Sequence, residues 1–299
     1  MATAFQASYN GLTFGAGVAS FPSIAKATGL NDMPPVRSAD ENRSGDHGAF
    51  QGVDLLAGRT VELEVLLAGT SQPNYDSLCD QFQGAFAVQP AELPLAYTLG
   101  DTTQVRVINC RPRKTLIPRE TRRWGMTGMA AVQLFASDPR KYAQAQTTLS
   151  TGLATQSGGM TFNATFPLSF GSVGAGGTVN ATNAGNFQTP LTFTITGPVV
   201  NPIVDNLTTG QSLLFLITLG STDTLVIAQA GTSACSIVLN GTASRRNALL
   251  VGSAPLSQFG LPGGLPGPCT AGVTQQFRYR NNGAFTASTL QIAYQSAWI

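Results

Sequence analysis

The stretch Arg59-Thr60-Val61-Glu62-Leu63-Glu64-Val65-Leu66-Leu67 alternates apolar Val61, Leu63, Val65 and Leu67 with polar Thr60, Glu62 and Glu64. A period of two is that of a strand with one dry and one wet face. Beyond Gly69 the period changes. Tyr75, Leu78, Cys79, Phe82 and Phe86 fall at i, i+3, i+4, i+7 and i+11, which predicts an amphipathic helix with Asn74 as N-cap and Asp76 in its first turn. A strand followed at once by such a helix constrains the first half of the chain to a sheet whose open side is plugged by one helix.

The remaining patterns are nearly all β. Phe5, Ala7 and Tyr9 alternate into Asn10-Gly11 and then Leu12 and Phe14, the signature of a type I′ hairpin. Residues 31–52, with Pro34-Pro35 and many charges and glycines, read as a long excursion off the sheet. Residues 103–110 and 126–136 read as two further strands, joined by a basic segment. In the second half, residues 161–166, 191–196, 212–219, 223–228, 236–239, 275–280 and 289–294 are strand candidates. They are separated by turns such as Gly197-Pro198, Asn201-Pro202 and Asn240-Gly241, the spacing of a β-sandwich.

Charge divides the chain more sharply than any linker. Residues 1–143 hold 13 of the 17 Lys and Arg and 13 of the 15 Asp and Glu, leaving Asp205, Asp223, Arg245, Arg246, Arg278 and Arg280 afterwards. The break falls just after Asp138-Pro139-Arg140-Lys141-Tyr142, and the Gln/Thr/Ser/Gly-rich residues 143–159 read as a linker. The expectation is two domains, 1–145 and 146–299, within the size range of ordinary domains. A net charge of +2 is too small to mark a nucleic-acid binder. The N-terminus lacks a basic and then apolar leader, which predicts a chain that stays in the cell that makes it. No apolar run approaches the ~20 residues of a membrane span.

The search for chemistry yields little. Cys79, Cys110, Cys235 and Cys269 are widely spaced, with no C-x-x-C and one histidine, His47, so buried thiols are expected rather than disulfides or zinc. Gly15-Ala16-Gly17-Val18-Ala19-Ser20 nearly matches a dinucleotide fingerprint but runs into Pro22, and reads as a glycine-rich loop. His47, in Gly45-Asp46-His47-Gly48, reads as a loop histidine. No metal, cofactor or catalytic residue is expected. Glu62 and Glu64 lie at a next-but-one spacing of roughly 6.5–7 Å, near that of an inverting glycosidase. They share the polar face of their strand, however, where nothing raises a pKa, so a solvated or subunit-facing edge is the better reading. The basic run Arg106, Arg111, Arg113, Lys114, Arg119, Arg122 and Arg123 stands against Glu120 alone. It is able to meet phosphates or carboxylates of another subunit, or to be a solvated loop. Five N-x-S/T sequons, beginning at Asn42, Asn163, Asn180, Asn206 and Asn240, carry little weight in an Asn/Thr-rich chain.

The order of motifs resembles the distal tail proteins (Dit) of long-tailed bacteriophages, of the kind called minor tail proteins in phages of actinobacteria. The matching residues are Tyr9-Asn10-Gly11-Leu12-Thr13-Phe14-Gly15, Gly45-Asp46-His47-Gly48-Ala49-Phe50-Gln51-Gly52, Gly58-Arg59-Thr60-Val61 with its helix, and Asp138-Pro139-Arg140-Lys141-Tyr142. In the second half they are Gly197-Pro198, Asn201-Pro202-Ile203-Val204-Asp205-Asn206, Thr208-Thr209-Gly210, Asn240-Gly241, Leu261-Pro262-Gly263 and the closing aromatic strand to Trp298.

The resemblance implies a mainly β protein, with an N-terminal tail-tube-like domain and a C-terminal galectin-like or carbohydrate-module-like sandwich. It implies a homo-oligomer, a hexameric ring at the distal end of the virion tail, assembled in the host bacterial cytoplasm. The implied partners are the tail tube protein, the tape measure protein and the tail-tip hub, with DNA passing through without sequence-specific binding. Arg59, Glu62, Glu64, Arg111, Arg113, Lys114, Arg119, Arg122 and Arg123 are then the candidates for a subunit interface or lumen. A carbohydrate-binding module is the second reading. Against it, only two carboxylates follow residue 143 and the one tryptophan there, Trp298, is terminal. A hydrolase built on Glu62 and Glu64 ranks last.

Overall fold

The computed structural model describes residues 5–15, 22–98, 104–117, 125–154, 177–264, 272–282 and 287–299. The expected strand at 161–166, the fingerprint-like residues 16–20, Arg119, Arg122, Arg123 and Cys269 lie outside them. The protein is mainly β and divides into two compact units, residues 1–144 and 145–298.

Unit 1 begins with β1 (Gln6–Tyr9) and β2 (Leu12–Gly15), paired through an Asn10-Gly11 turn with φ of 46° and 80°, the left-handed pair that a type I′ hairpin requires. Next come β3 (Ser23–Thr28), β8 (Arg59–Ala68), α1 (Gln72–Ala85), β9 (Leu93–Thr98), β10 (Val105–Leu116), β11 (Thr127–Ala136) and β12 (Lys141–Ala143). The antiparallel sheet runs β2-β1-β9-β10-β11-β8-β3, with β12 against β10. Its ends approach each other, since the Gly15 amide donates to the Pro22 carbonyl at 3.2 Å. Neither β3 nor β9 was visible as a period of two, because Ser23–Thr28 carries one strong apolar residue, Ile24, and Leu93-Pro94-Leu95 contains proline.

The alternation in β8 decides which face is dry: Val61, Leu63, Val65 and Leu67 are fully buried and Glu62 and Glu64 are exposed. Onto that dry face α1 lays Tyr75, Cys79 and Phe82. Phe86 follows the helix and stacks on Tyr9 with ring centroids 5.1 Å apart. The helix starts three residues earlier than its periodicity predicts. Ser71 is the N-cap, accepting from the Asn74 amide at 3.4 Å, while the Asn74 carboxamide accepts from the Thr70 amide. Pro73 fits in the first turn because its missing N–H has no helical partner there. Asp76 therefore lies beyond the first turn and accepts from Gln72 instead.

Between β3 and β8 the chain leaves the sheet as a two-tier hairpin arm. β4 (Val36–Arg37) pairs β7 (Leu55–Leu56), and farther out β5 (Glu41–Asn42) pairs β6 (Ala49–Phe50). Met33, Val36, Phe50, Val53 and Leu55 are exposed on it, and His47 lies in the exposed turn at its end.

Unit 2 is a sandwich. One sheet runs β13 (Thr147–Gly152), β24 (Thr289–Tyr294), β15 (Leu191–Thr196), β20 (Thr224–Ala230), β21 (Ser236–Leu239) and β22 (Ala243–Ser244). The other runs β14 (Thr178–Asn183), β23 (Val273–Asn281), β17 (Pro202–Asn206) and β18 (Gln211–Leu214), and β16 (Val199–Val200) pairs β19 (Thr218–Leu219) separately. Their inner faces share one core in which Phe193, Phe259 and Phe277 meet with centroids 5.6–6.0 Å apart. The expected linker is partly strand. β13 falls within 143–159 and pairs β24 from Thr147 to Gly152, its apolar content reduced to Leu149 among threonines and serines. The single strand expected over 212–219 is broken into β18 and β19.

Candidate functional site

The registers of β10, β11, β8 and β3 bring several candidate residues onto the outer face of one four-strand patch. Across it, Arg111 lies opposite Phe135 and then Thr60. Lys114 lies opposite Gln133, Glu62 and then Thr28, and Leu116 opposite Ala131, Glu64 and then Lys26. The inner side of the same strands carries Val61, Leu63, Val65, Val132 and Leu134. Cations therefore stand on β10 and carboxylates on β8, two strand spacings or roughly 10 Å apart, with β11 between them. Gln133 bridges towards the acidic side, donating to Glu62 at 3.0 Å, and Lys26 approaches Glu64 at 3.8 Å. Both glutamates are solvated and held by neighbours, as their place on the polar face required.

The described part of the basic segment, residues 111–116, is strand rather than loop. Strand β10 continues through Arg111 to Leu116, and its register shifts between Pro112 and Lys114. This bulge is what puts Lys114 outside. Cys110 points inward and Arg111 outward, so strict alternation would send Lys114 into the core. One extra residue at Arg113 restores Lys114 to the wet face, while Thr115 takes the inner place opposite Val132. Both Arg113 and Lys114 are exposed, and the Arg113 guanidinium stands 5.2 Å from the Phe135 ring centroid. Proline and lysine on a bulged strand end also discourage backbone pairing with another chain, which leaves side chains to make any contact there.

Arg59 departs from the interface candidates. As the first residue of β8 it faces inward and is 1% exposed. Its Nη1 donates to the carbonyls of Gly29 and Asp32, both at 2.7 Å, and its Nε donates to Pro139 at 3.0 Å. It is a clamp at the root of the arm. Gly29 has φ +79°, and a Cβ there would lie 2.0 Å from the Thr60 carbonyl, so the turn admits only glycine. Burial pulls the Arg59 pKa down. Nearby, Lys141 donates to the Leu30 carbonyl at 3.3 Å, and burial, with the charges of Arg59 and Arg106, lowers its pKa to about 8. No local pattern marks this clamp, because an arginine heading an alternating strand looks like a surface charge. Among the described residues no cluster of His, Cys, Asp or Glu fits a metal ion, and no helix is long and apolar enough to cross a membrane. Cys79, Cys110 and Cys235 are buried free thiols, and burial pushes Cys110 up to about 12.

The chain is similar to the crystal structure of Dit from phage SPP1, a paradigm of the hub adsorption apparatus in phages infecting Gram-positive bacteria. The TM-score is 0.64 at 12% identity, over 99% of each chain. The chain has the fold of a phage distal tail protein. Structures of the phage p2 baseplate, in its activated conformation with strontium or calcium, align over 97% of each chain at 9% identity, with TM-scores of 0.46 and 0.45. No protein-family model and no curated protein sequence matches the chain.

Proposed function

We propose that the chain is a structural, non-enzymatic virion protein, a distal tail protein whose first unit closes a ring between the tail tube and the tail-tip complex. The observation that carries this reading is the end-to-end likeness to the SPP1 hub protein, which spans both units. The striped face of unit 1 is consistent with it. A ring needs a heterologous contact, in which one patch of a subunit meets a different patch of the next. The cation and carboxylate columns on β10 and β8 form one such patch, offering charge of both signs to a neighbouring subunit. The hexameric count, the tail tube, tape measure and tip-hub proteins as neighbours, and DNA passing through the opening all belong to this proposal. So does the placing of Arg119, Arg122 and Arg123 at the contact or lumen.

Charge exchange on the full chain tests it. Arg111→Glu with Lys114→Glu should shift the oligomer towards monomer in light scattering, as should Glu62→Lys with Glu64→Lys. Combining all four should restore it, because the columns are again complementary. A ring that persists through every variant and at high salt would show that the face takes no part in the contact. A chain that is monomeric throughout would remove support for the ring.

A further inference from the structure

Unit 2 is nearly devoid of charge, yet three of the six charged residues after residue 143 meet at one point. Asp205 on β17 accepts from Ser212 Oγ on β18 at 2.6 Å. It also accepts from Nε and Nη2 of Arg278 at 3.0 and 2.8 Å, and from Nε and Nη2 of Arg280 at 2.6 and 3.1 Å. The two arginines are two apart on β23, so both point to its outer face while Phe277 and Tyr279 point into the core. Cross-strand pairing sets Asp205 directly opposite Arg278 on one side and Ser212 on the other. Burial pulls the Asp205 pKa up, but the hydrogen bonds from Arg280, Ser212 and Arg278 outweigh it and hold the carboxyl below its ordinary range.

A cross-strand clip needs one arginine. Here one carboxylate, only 4% exposed, fixes two guanidinium groups whose side chains are 37% and 39% exposed, and the trio keeps one uncompensated positive charge. Each guanidinium spends its Nε and one Nη2 donor on Asp205 and keeps its Nη1 edge. Two guanidinium edges held in fixed planes by a buried carboxylate are organised for bidentate binding of a carboxylate or phosphate. The surrounding surface is neutral and hydrogen-bonding. Thr178 lies opposite Arg278, and Asn180 lies opposite Gln276, all three exposed. Among the described residues one exposed large apolar side chain borders this face, Leu207 directly after β17, whose amide donates to the Gln276 carbonyl at 2.8 Å. Such a face offers a protein partner little apolar core, whereas an anion and hydroxyls are met by the groups it carries.

We propose that the outer face of the β14-β23-β17-β18 sheet binds an anionic polyol chain, with Arg278 and Arg280 gripping its anionic group and Thr178, Asn180 and Gln276 meeting its hydroxyls. The shared chemistry is one anion on a polyol, borne as a uronate carboxylate or as a phosphodiester. Sequence order hid the site because its members lie 73 and 75 residues apart and come together only through strand pairing. The proposal is independent of the ring.

Isothermal titration calorimetry on the full chain tests it, with oligogalacturonate, poly(glycerol phosphate) and neutral dextran as probes. Saturable heat with one or both acidic probes and none with dextran is expected, and the responding probe names the anion. Arg278→Gln and Arg280→Gln should each weaken binding about tenfold or more. Arg245→Gln with Arg246→Gln, which removes twice the charge of either variant elsewhere on the unit, should leave it within about twofold. Thermal melts of each variant separate loss of the site from loss of the fold. No heat with either acidic probe, equal loss in the Arg245/Arg246 control, or unchanged binding in folded Arg278→Gln would overturn the proposal. Light scattering on the same samples reports the oligomer separately, so failure of the ring and failure of this site are distinguishable.

Discussion

Replacing Arg59 by methionine should loosen the root of the arm more than any other part of unit 1. The substitution keeps most of the side-chain volume and removes four hydrogen bonds, to the carbonyls of Gly29, Asp32 and Pro139 at 2.7, 2.7 and 3.0 Å and a longer one to Leu30 at 3.5 Å. Bonds from a charged donor are worth ~1.5–3 kcal/mol each, and a buried carbonyl left without a donor costs ~1–3 kcal/mol. An opposing contribution is the relief of a guanidinium that burial destabilises, as its lowered pKa records, with Nη2 unpartnered among the described residues. The net loss should therefore be about 3 kcal/mol, well below the sum of the lost bonds. Hydrogen exchange read by mass spectrometry locates the effect. Peptides covering residues 29–33 and 139–141 should exchange about a hundredfold faster, while peptides from α1 change far less. Arg59→Lys, which keeps the charge but not the fork of donors, should recover part of the protection. Protection at residues 29–33 unchanged within about threefold, or lost equally throughout unit 1, would refute the clamp.

Lys141→Met should be stabilising at pH 7 relative to its effect at pH 10. The folded pKa of about 8 lies below the ordinary 10.5, so between those values the unfolded chain holds a proton that the folded one has released, and wild-type stability rises with pH. The gap between variant and wild type should narrow by up to about 3 kcal/mol across that window, and a pH-independent difference in Tm would contradict it. Fragments should divide the functions. One ending near Gln146 should keep the oligomeric state of the full chain by light scattering, and one starting at Ala145 should be a soluble monomer. A fragment starting at Thr155 should aggregate, because it lacks β13 and bares the edge of β24.

What could be read in the sequence was whatever repeats locally. The period of β8, the helix stripe from Tyr75 to Phe86 and the Asn10-Gly11 turn each depend on residues within a few positions of one another, and each is present. Elements whose apolar content is thin escaped. β13 and β14 are built on threonine, serine and asparagine and are held by pairing with β24 and β23. The bulge at Arg113 escaped too, since its only cue is a proline followed by two cations in what composition marks as a loop. Arg59 and Asp205 show the limit of composition. One is a charge that the fold buries against carbonyls, the other a carboxylate that the fold surrounds with arginines from a distant strand.

The most direct measurement is electron microscopy of the purified full chain at micromolar concentration, with class averages of views down the symmetry axis. The account predicts closed rings of one subunit count with a central opening, unit 1 forming the ring wall. Isolated monomers at every concentration, or open filaments in place of rings, would contradict it.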